Sequence, residues 1–440
     1  MGNRSRLSGY NFHPVFAAGH FNPVPQLLRG LAFPIFACIT LLIIFASCDR
    51  QAPPTQTRDL STINVGYFGD LSGPTFNFGQ SGKNGVLMAA DEINQAGGIN
   101  GRKIDIILED DQGSPELAAT LANKLTRQDK VIALIAGGAS GSSLAAGPIA
   151  QSAKVPMISP SSTNPAVTQI GDYVFRVCFI DAFQGEVMAK FATHTLSAKK
   201  AAILLDYNSP YSRGLTDYFE MSFTALGGQV VSKQYYTQGD TDFKGQLSSI
   251  KSAAPDVIYL PGYYGEIAPI ARQARQLGIT QPLLGGDGWD APELWPLARE
   301  SINGSYITNH YSVEDPSPQV QKFVHEFKLH YGNLVPDAHA ALAYDAMRFL
   351  ADAIQRAGTT ESGRLREALA ATKNLPGVTG VISMDSQRNA VKPATILKLE
   401  NGTYVYQETI QPESPTSSPS PSPSPSPSRK RGAKRPRTGT

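Results

Sequence analysis

Three stretches of small and hydroxyl-bearing residues carry the chemistry of this chain. Leu71-Ser72-Gly73-Pro74-Thr75-Phe76-Asn77-Phe78-Gly79 is a glycine-rich loop that leads into a helix pattern. Ile135-Ala136-Gly137-Gly138-Ala139-Ser140-Gly141-Ser142-Ser143-Leu144 runs from an apolar strand pattern into a helix, and Ser159-Pro160-Ser161-Ser162-Thr163-Asn164-Pro165 adds further hydroxyls and backbone donors. Unpaired N–H groups and hydroxyls at the start of a helix present partial positive charge, and a carboxylate is the guest they suit. A single stretch of this kind reads as an ordinary helix cap, but recurrence at successive strand ends points to a binding cleft.

Catalytic motifs fail on spacing. In Gly79-Gln80-Ser81-Gly82-Lys83-Asn84 the position of a phosphate loop's first glycine is Asn77, and Asn84 stands where Ser or Thr would hold magnesium. His325 and His330 are five apart, so they do not share the helix face that zinc ligation at i, i+4 requires. Gly138-Ala139-Ser140-Gly141-Ser142 ends in Ser where a nucleophile elbow has Gly. No G-x-G-x-x-G follows a strand pattern, and no acid/base pair stands out. The expectation is a binding protein with no catalytic residues, no cofactor and no metal.

The elements that must position these stretches alternate. Ile63, Val65 and Tyr67 fit one side of a strand, and a helix over Val86, Leu87, Ala90 and Ile93 ends at Gly97-Gly98. Lys103–Leu108 reads as a second strand, then Ser114 and Pro115 cap a helix running to about Gln128. The rhythm continues through strands at Val131–Ile135, Val155–Ile158, Ala201–Leu205, Val230–Tyr236, Val257–Leu260 and Pro282–Leu284. Alternation of this kind predicts an α/β protein of two doubly wound, mostly parallel-sheet lobes, ligand sites lying beyond the strands' carboxyl ends. The rhythm lapses around Phe179–Gln184 and Tyr306–Tyr311, where the chain is expected to cross a multi-strand hinge between lobes. The predicted organisation is 61–180 plus 310–385 for lobe one and 181–309 plus 386–411 for lobe two.

The 440 residues exceed what one hydrophobic core accommodates, and 41% hydrophobic with 17% charged suits an ordered body. The net charge of +2 comes from the ends, with Arg4, Arg6 and Arg29 in front and six basic residues from Arg429 to Arg437 behind. The body between them is mildly acidic, which argues against nucleic acid as a partner. The apolar run Leu31–Ser47, interrupted by Pro34 and followed by Cys48, reads as a lipoprotein signal peptide (1–47), with Cys48 lipidated and 48–60 a tether. Cys38 would leave with the signal, so Cys178 would be a buried, inert thiol without a disulfide partner. Residues 412–440 alternate Ser and Pro before turning basic, a composition expected to stay unfolded.

The body from about Ser61 to Ile410 resembles the branched-chain amino-acid-binding proteins of ABC importers, the leucine/isoleucine/valine-binding family. The resemblance rests on Asp70-Leu71-Ser72-Gly73-Pro74, Ala89-Ala90-Asp91-Glu92-Ile93-Asn94 with Gly97-Gly98-Ile99-Asn100-Gly101, and Glu109-Asp110-Asp111. It extends through Asp206 with Tyr211-Ser212-Arg213-Gly214, Asp256-Val257-Ile258-Tyr259 and Arg272-Gln273-Ala274-Arg275. The resemblance implies a type I periplasmic-binding fold, with Ser140, Ser161 and Thr163 on the ligand carboxylate and part of its ammonium. It further implies Tyr211 and Tyr263 as enclosing aromatics, Phe78 in the side-chain pocket, and Asp287 as the acidic partner of the ammonium. Phe78 replaces the family's Tyr and Asp287 its Glu. The partners it implies are a small amino acid and membrane permease subunits, with the chain a monomer on the outer side of the membrane. Relatives of this fold also bind amides, urea and aromatic acids or serve as sensory modules, and these alternatives stay open. If Cys48 carries the lipid, Cys48→Ala moves the protein from the membrane pellet to the soluble fraction; continued sedimentation with membranes contradicts the anchor.

Overall fold

The computed structural model describes residues 62–412. Its first sheet has five parallel strands: β1 (Thr62–Gly69), β2 (Lys103–Asp110), β3 (Ala133–Ala136), β4 (Met157–Ser159) and β5 (Val174–Arg176), in the spatial order β2-β1-β3-β4-β5. The second has seven: β6 (Lys200–Asp206), β7 (Gln229–Tyr236), β8 (Val257–Tyr259), β9 (Leu283–Gly285), β10 (Ser305–Asn309), β11 (Ala394–Glu400) and β12 (Thr403–Ile410), ordered β12-β11-β10-β9-β8-β6-β7. The second sheet is parallel from β7 to β10, and β11 and β12 join antiparallel at its edge.

Helices α1 (Phe76–Gln95), α2 (Pro115–Arg127), α3 (Ser140–Ala153) and α4 (Ala166–Gln169) connect the strands of the first sheet. Helices α5 (Asp181–Lys190), α6 (Pro210–Ala225), α7 (Lys244–Ser252), α8 (Tyr264–Gln276) and α9 (Leu294–Ala298) belong with the second. Then α10 (Pro318–His330), α11 (Ala338–Ala357) and α12 (Ser362–Ala370) return to the first, where Phe323, Phe349 and Leu365 pack with Val65 and Ile135. Each sheet is covered on both faces, which is why inner strands such as β3 and β8 are short, fully buried apolar runs, while the outer β2 and β7 carry polar residues.

Helix boundaries follow local chemistry. Ser114 caps α2 by accepting from Leu117 N, with Pro115 in the first turn, and Ser209 and Pro210 repeat the device on α6. Two glycines matter for the cleft. A Cβ on Gly79 would lie 1.9 Å from Asp70 O, and one on Gly85 would lie 2.1 Å from Ala340 O. Glycine at 79 lets α1 fold back on the end of β1, and glycine at 85 lets α11 lie close along α1.

The chain passes between lobes three times. The first crossing is shorter than the lapse at Phe179–Gln184 suggests, because helix α5 resumes at Asp181 with Gln184 N bonded to Ile180 O. The second begins later than the lapse at Tyr306–Tyr311 suggests. Residues 306–309 are strand, held between β9 and β11, and β11 lies far along the chain and was invisible to local pattern. In the third, Arg388 donates to Val174 O and Thr168 O and Ala390 joins the first lobe's core, so this stretch sides with lobe one past the expected 385/386 boundary.

That third crossing is tied down by a buried carboxylate. Asp345 on α11 accepts from Val378 N (2.8 Å), Thr379 N (2.9 Å) and Thr379 Oγ1, and Lys392 Nζ lies 3.9 Å away while donating to Thr379 Oγ1. Removing the carboxylate strands an ammonium and two backbone donors away from water. Asp345→Ala is expected to cost roughly 3–5 kcal/mol of stability in urea unfolding; a loss below about 1 kcal/mol contradicts this anchoring role.

Candidate functional site

The loops that follow the parallel strands converge where each sheet's order reverses, between β1 and β3 in the first and between β6 and β8 in the second. Phe78 lies beyond β1, Ser140 beyond β3 and Ser161 beyond β4. From the other lobe Tyr211 lies beyond β6, Tyr263 beyond β8 and Asp287 beyond β9. The structure brings these six onto the wall of one cavity of ≈ 20 Å³, together with Gly138, Ala139, Gly288 and His339. Thr163 is not on that wall. It is fully buried behind it, its Oγ1 without a hydrogen-bond partner among the described residues.

On the lobe-one side, Asp70 shapes the approach to Phe78. Its carboxylate accepts from Gly73 N, Thr75 N (2.7 Å) and Thr75 Oγ1 (2.8 Å), curling the loop that starts α1. Helix α3 opens at Ser140 behind Ala139, which offers no side-chain cap, so the positive end of the helix meets the cavity. The loop carrying Ser161 is held from beneath by Arg176, a fully buried guanidinium that donates to Ser162 O (2.7 Å) and Asn164 O (2.8 Å). This wall supplies donors suited to a carboxylate.

The lobe-two side is organised around Asp287. Its Oδ1 accepts from Gln184 Nε2 (2.9 Å) and Tyr211 OH (2.9 Å), and its Oδ2 faces His310 Nε2 at 3.0 Å. Burial alone would raise this carboxyl's pKa, but the donors, His310 foremost, hold it below the usual carboxylate value, so it is anionic. Burial keeps the His310 imidazole down and neutral. A carboxylate accepts about four hydrogen bonds; three are filled, and one remains for a cation in the cavity.

Aromatic rings close the remaining sides. Tyr211 stacks on Tyr263 at 5.1 Å, Phe78 meets Tyr263 edge-on at 5.8 Å, and Phe78 lies parallel to His339 at 3.9 Å. Three hydrogen bonds link the lobes beside the cavity, Asn77 Nδ2 to Tyr264 OH (3.0 Å), Tyr264 OH to Pro74 O (3.4 Å) and Asn164 Nδ2 to Pro210 O (2.8 Å). Another, at the hinge, runs from Ala338 N to Asp290 Oδ2 (2.8 Å). The lobes are closed on one another.

Sequence reasoning missed His339, His310, Gln184, Arg176 and Asp181. His310 and His339 each occupy an element boundary, one just after β10 and one in the first turn of α11, positions where a polar residue reads as surface. Asp181 opens α5 and is fully buried, with neither carboxylate oxygen hydrogen-bonded among the described residues. Cys178 is a buried free thiol, and burial pushes its pKa up to about 12. Among the described residues there is no cluster that could hold a metal ion and no helix long and apolar enough to cross a membrane. Cys48 lies outside the described residues.

Comparison with known proteins places the fold in a family. The family model described as periplasmic binding protein matches residues 62–403. A Leu/Ile/Val-binding protein of Rhizobium johnstonii is 31% identical over 79% of this chain and 94% of its own length. The crystal structure of a leucine-binding protein from Thermotoga maritima superposes with a TM-score of 0.77 at 40% identity, covering 80% of this chain and 99% of that one. A branched-chain amino acid transporter substrate-binding protein from Streptococcus pneumoniae, solved with isoleucine, gives 0.76 at 35% identity, covering 80% of this chain and 100% of its own.

Burial pushes the Asp181 carboxyl up to about 8, and the charge of Asp287 adds to the rise. The folded chain therefore holds this proton more tightly than the unfolded chain does. The stabilisation this brings is complete below about pH 4 and fades as pH rises through about 8. Wild-type melting temperature should fall relative to that of Asp181→Asn across this window; parallel melting curves at all pH values contradict a buried protonated Asp181.

Proposed function

The chain belongs to the periplasmic binding protein family, among the branched-chain amino-acid-binding proteins of ABC transporters, and on that premise we propose that it captures an apolar amino acid by closure of its two lobes and delivers it to a membrane permease. The observation that carries this reading is the opposition of charges across one small cavity. Lobe one contributes a helix N-terminus and hydroxyls, lobe two a buried carboxylate with one acceptor position open. A zwitterion leaving water needs both, because each of its charged ends loses several kcal/mol of hydration unless it is paired and hydrogen-bonded.

In this mechanism the ligand carboxylate binds first, to the start of α3 at Ser140 and to the Ser161 loop. Thr163 supports that loop from behind. The ammonium then draws Asp287 and Tyr211 inward with lobe two, and Tyr263 covers the ligand from the same side. Phe78 faces the side chain. Closure is completed by the bonds from Asn77 to Tyr264 and from Asn164 to Pro210, which span the lobes and form only when they meet. The ligand thereby converts a hinge motion into a distinct surface for the permease to read. Lipidation at Cys48 would hold the protein at the outer face of the membrane.

Because Asp287 is the one carboxylate on the cavity wall, Asp287→Ala should weaken binding of L-leucine, L-isoleucine or L-valine by roughly 2–5 kcal/mol in calorimetric titration. Unchanged affinity in a folded Asp287→Ala protein rules out this mode of ammonium recognition.

A further inference from the structure

His339 is a buried histidine on the cavity wall, stacked on an aromatic ring and facing the binding groups of lobe two. Its ring lines the cavity wall, is only 6% exposed, and lies flat on Phe78 at 3.9 Å with an interplanar angle of 7°. Phe78 is in turn pinned edge-on by Tyr263 (5.8 Å) and Tyr264 (5.3 Å), so the imidazole has no room to swing aside. Its Nδ1 is buried and has no hydrogen-bond partner among the described residues. A buried polar atom left unpaired costs about 1–3 kcal/mol, and folded proteins keep few of them. A phenylalanine would fill the same stack without that cost. The charged and titratable groups that face His339 are Asp287 and His310, and burial outweighs the attraction of Asp287, holding the imidazole down to about 4 and therefore neutral.

We infer that His339 makes this clamp a receptor for a hydroxyl-bearing amino acid, threonine above its isostere valine, by hydrogen bonding the ligand's side-chain hydroxyl. The inference rests on the amino-acid reading of the cavity and narrows it. A neutral imidazole offers one donor and one acceptor nitrogen, and a hydroxyl, which can rotate to do either, satisfies it in either tautomer. A carboxylate side chain is excluded, since no lysine or arginine lines the cavity and Asp287 would repel it. Threonine and valine have the same shape, so the choice between them isolates the hydrogen bond from packing.

The test is calorimetric titration of the full chain with L-threonine and L-valine, in the wild type, in His339→Phe and in His339→Gln. The wild type should bind threonine at least as tightly as valine. His339→Phe should shift the threonine-to-valine Kd ratio about tenfold or more toward valine, whereas His339→Gln, which keeps a donor and an acceptor, should retain the wild-type order. The inference is overturned if valine is preferred about tenfold by the wild type, if the ratio is the same in all three proteins, or if both variants shift it equally, which would make volume the cause. Should the wild type bind neither threonine nor valine but bind L-leucine titrated as a control, the role of His339 falls and the amino-acid reading stands; should it bind none of the three, both fall; should it bind threonine and valine with a ratio that His339→Phe leaves unmoved, only the role of His339 falls. The wild-type comparison decides the matter even if His339→Phe does not fold.

Discussion

A carboxylate that cannot reach water must be solvated by the protein, and the Asp287 side chain imposes that demand on the whole second lobe. Its donors come from three separate elements: Gln184 from α5, Tyr211 from α6 and His310 from the segment leaving β10. None of these is near Asp287 in the chain, so the lobe has to be complete before the charge can be tolerated. Gln184 also donates to Thr308 Oγ1 at 2.8 Å, which ties the carboxylate to β10, the strand from which the chain returns to lobe one. The binding group and the hinge are in this way parts of one hydrogen-bonded unit.

Lobe one solves the complementary problem with fewer charges. Its wall is built of helix N-terminus, hydroxyls and backbone, and the one cation behind it, Arg176, is consumed by main-chain carbonyls of the loop it supports. A carboxylate guest is thus met by dipoles of fixed direction rather than by a mobile ammonium or guanidinium. Fixed dipoles are preorganised and so discriminate geometry. Asp181, protonated at the lobe boundary, avoids placing a second negative charge near Asp287.

Closure makes both walls work together. Parallel sheets leave their loops at the carboxyl ends, and two such sheets turned toward one another put Phe78, Ser140, Ser161, Tyr211, Tyr263 and Asp287 around one small volume. The bonds that span the lobes beside the cavity involve neutral partners, and carboxylates take part only away from it, Asp290 at the hinge and the exposed contact of Glu314 with Tyr406 N. Opening therefore strands little buried charge, and the balance between open and closed is left for the ligand to tip.

The sequence by itself determined the parallel α/β character, the helix start at Ser114-Pro115 and the stretches that end at the cleft, because these rest on local chemistry. Apolar runs mark buried strands, the Ser-Pro pair at Ser114 marks a helix start, and glycine and hydroxyl clusters mark the strand ends. Family resemblance then singled out Phe78, Ser140, Ser161, Tyr211, Tyr263 and Asp287, which the fold assembles around one cavity, and Thr163, which it sets behind the wall. What only the tertiary structure decided is the environment of each group. The strand character of Tyr306–Asn309 depends on β11, nearly ninety residues on. The anionic state of Asp287, the neutral imidazoles of His310 and His339 and the proton on Asp181 depend on burial and on partners brought from distant elements. Residue type is local, but a charge state and a cavity wall are properties of packing, and packing is where residues far apart in the chain first meet.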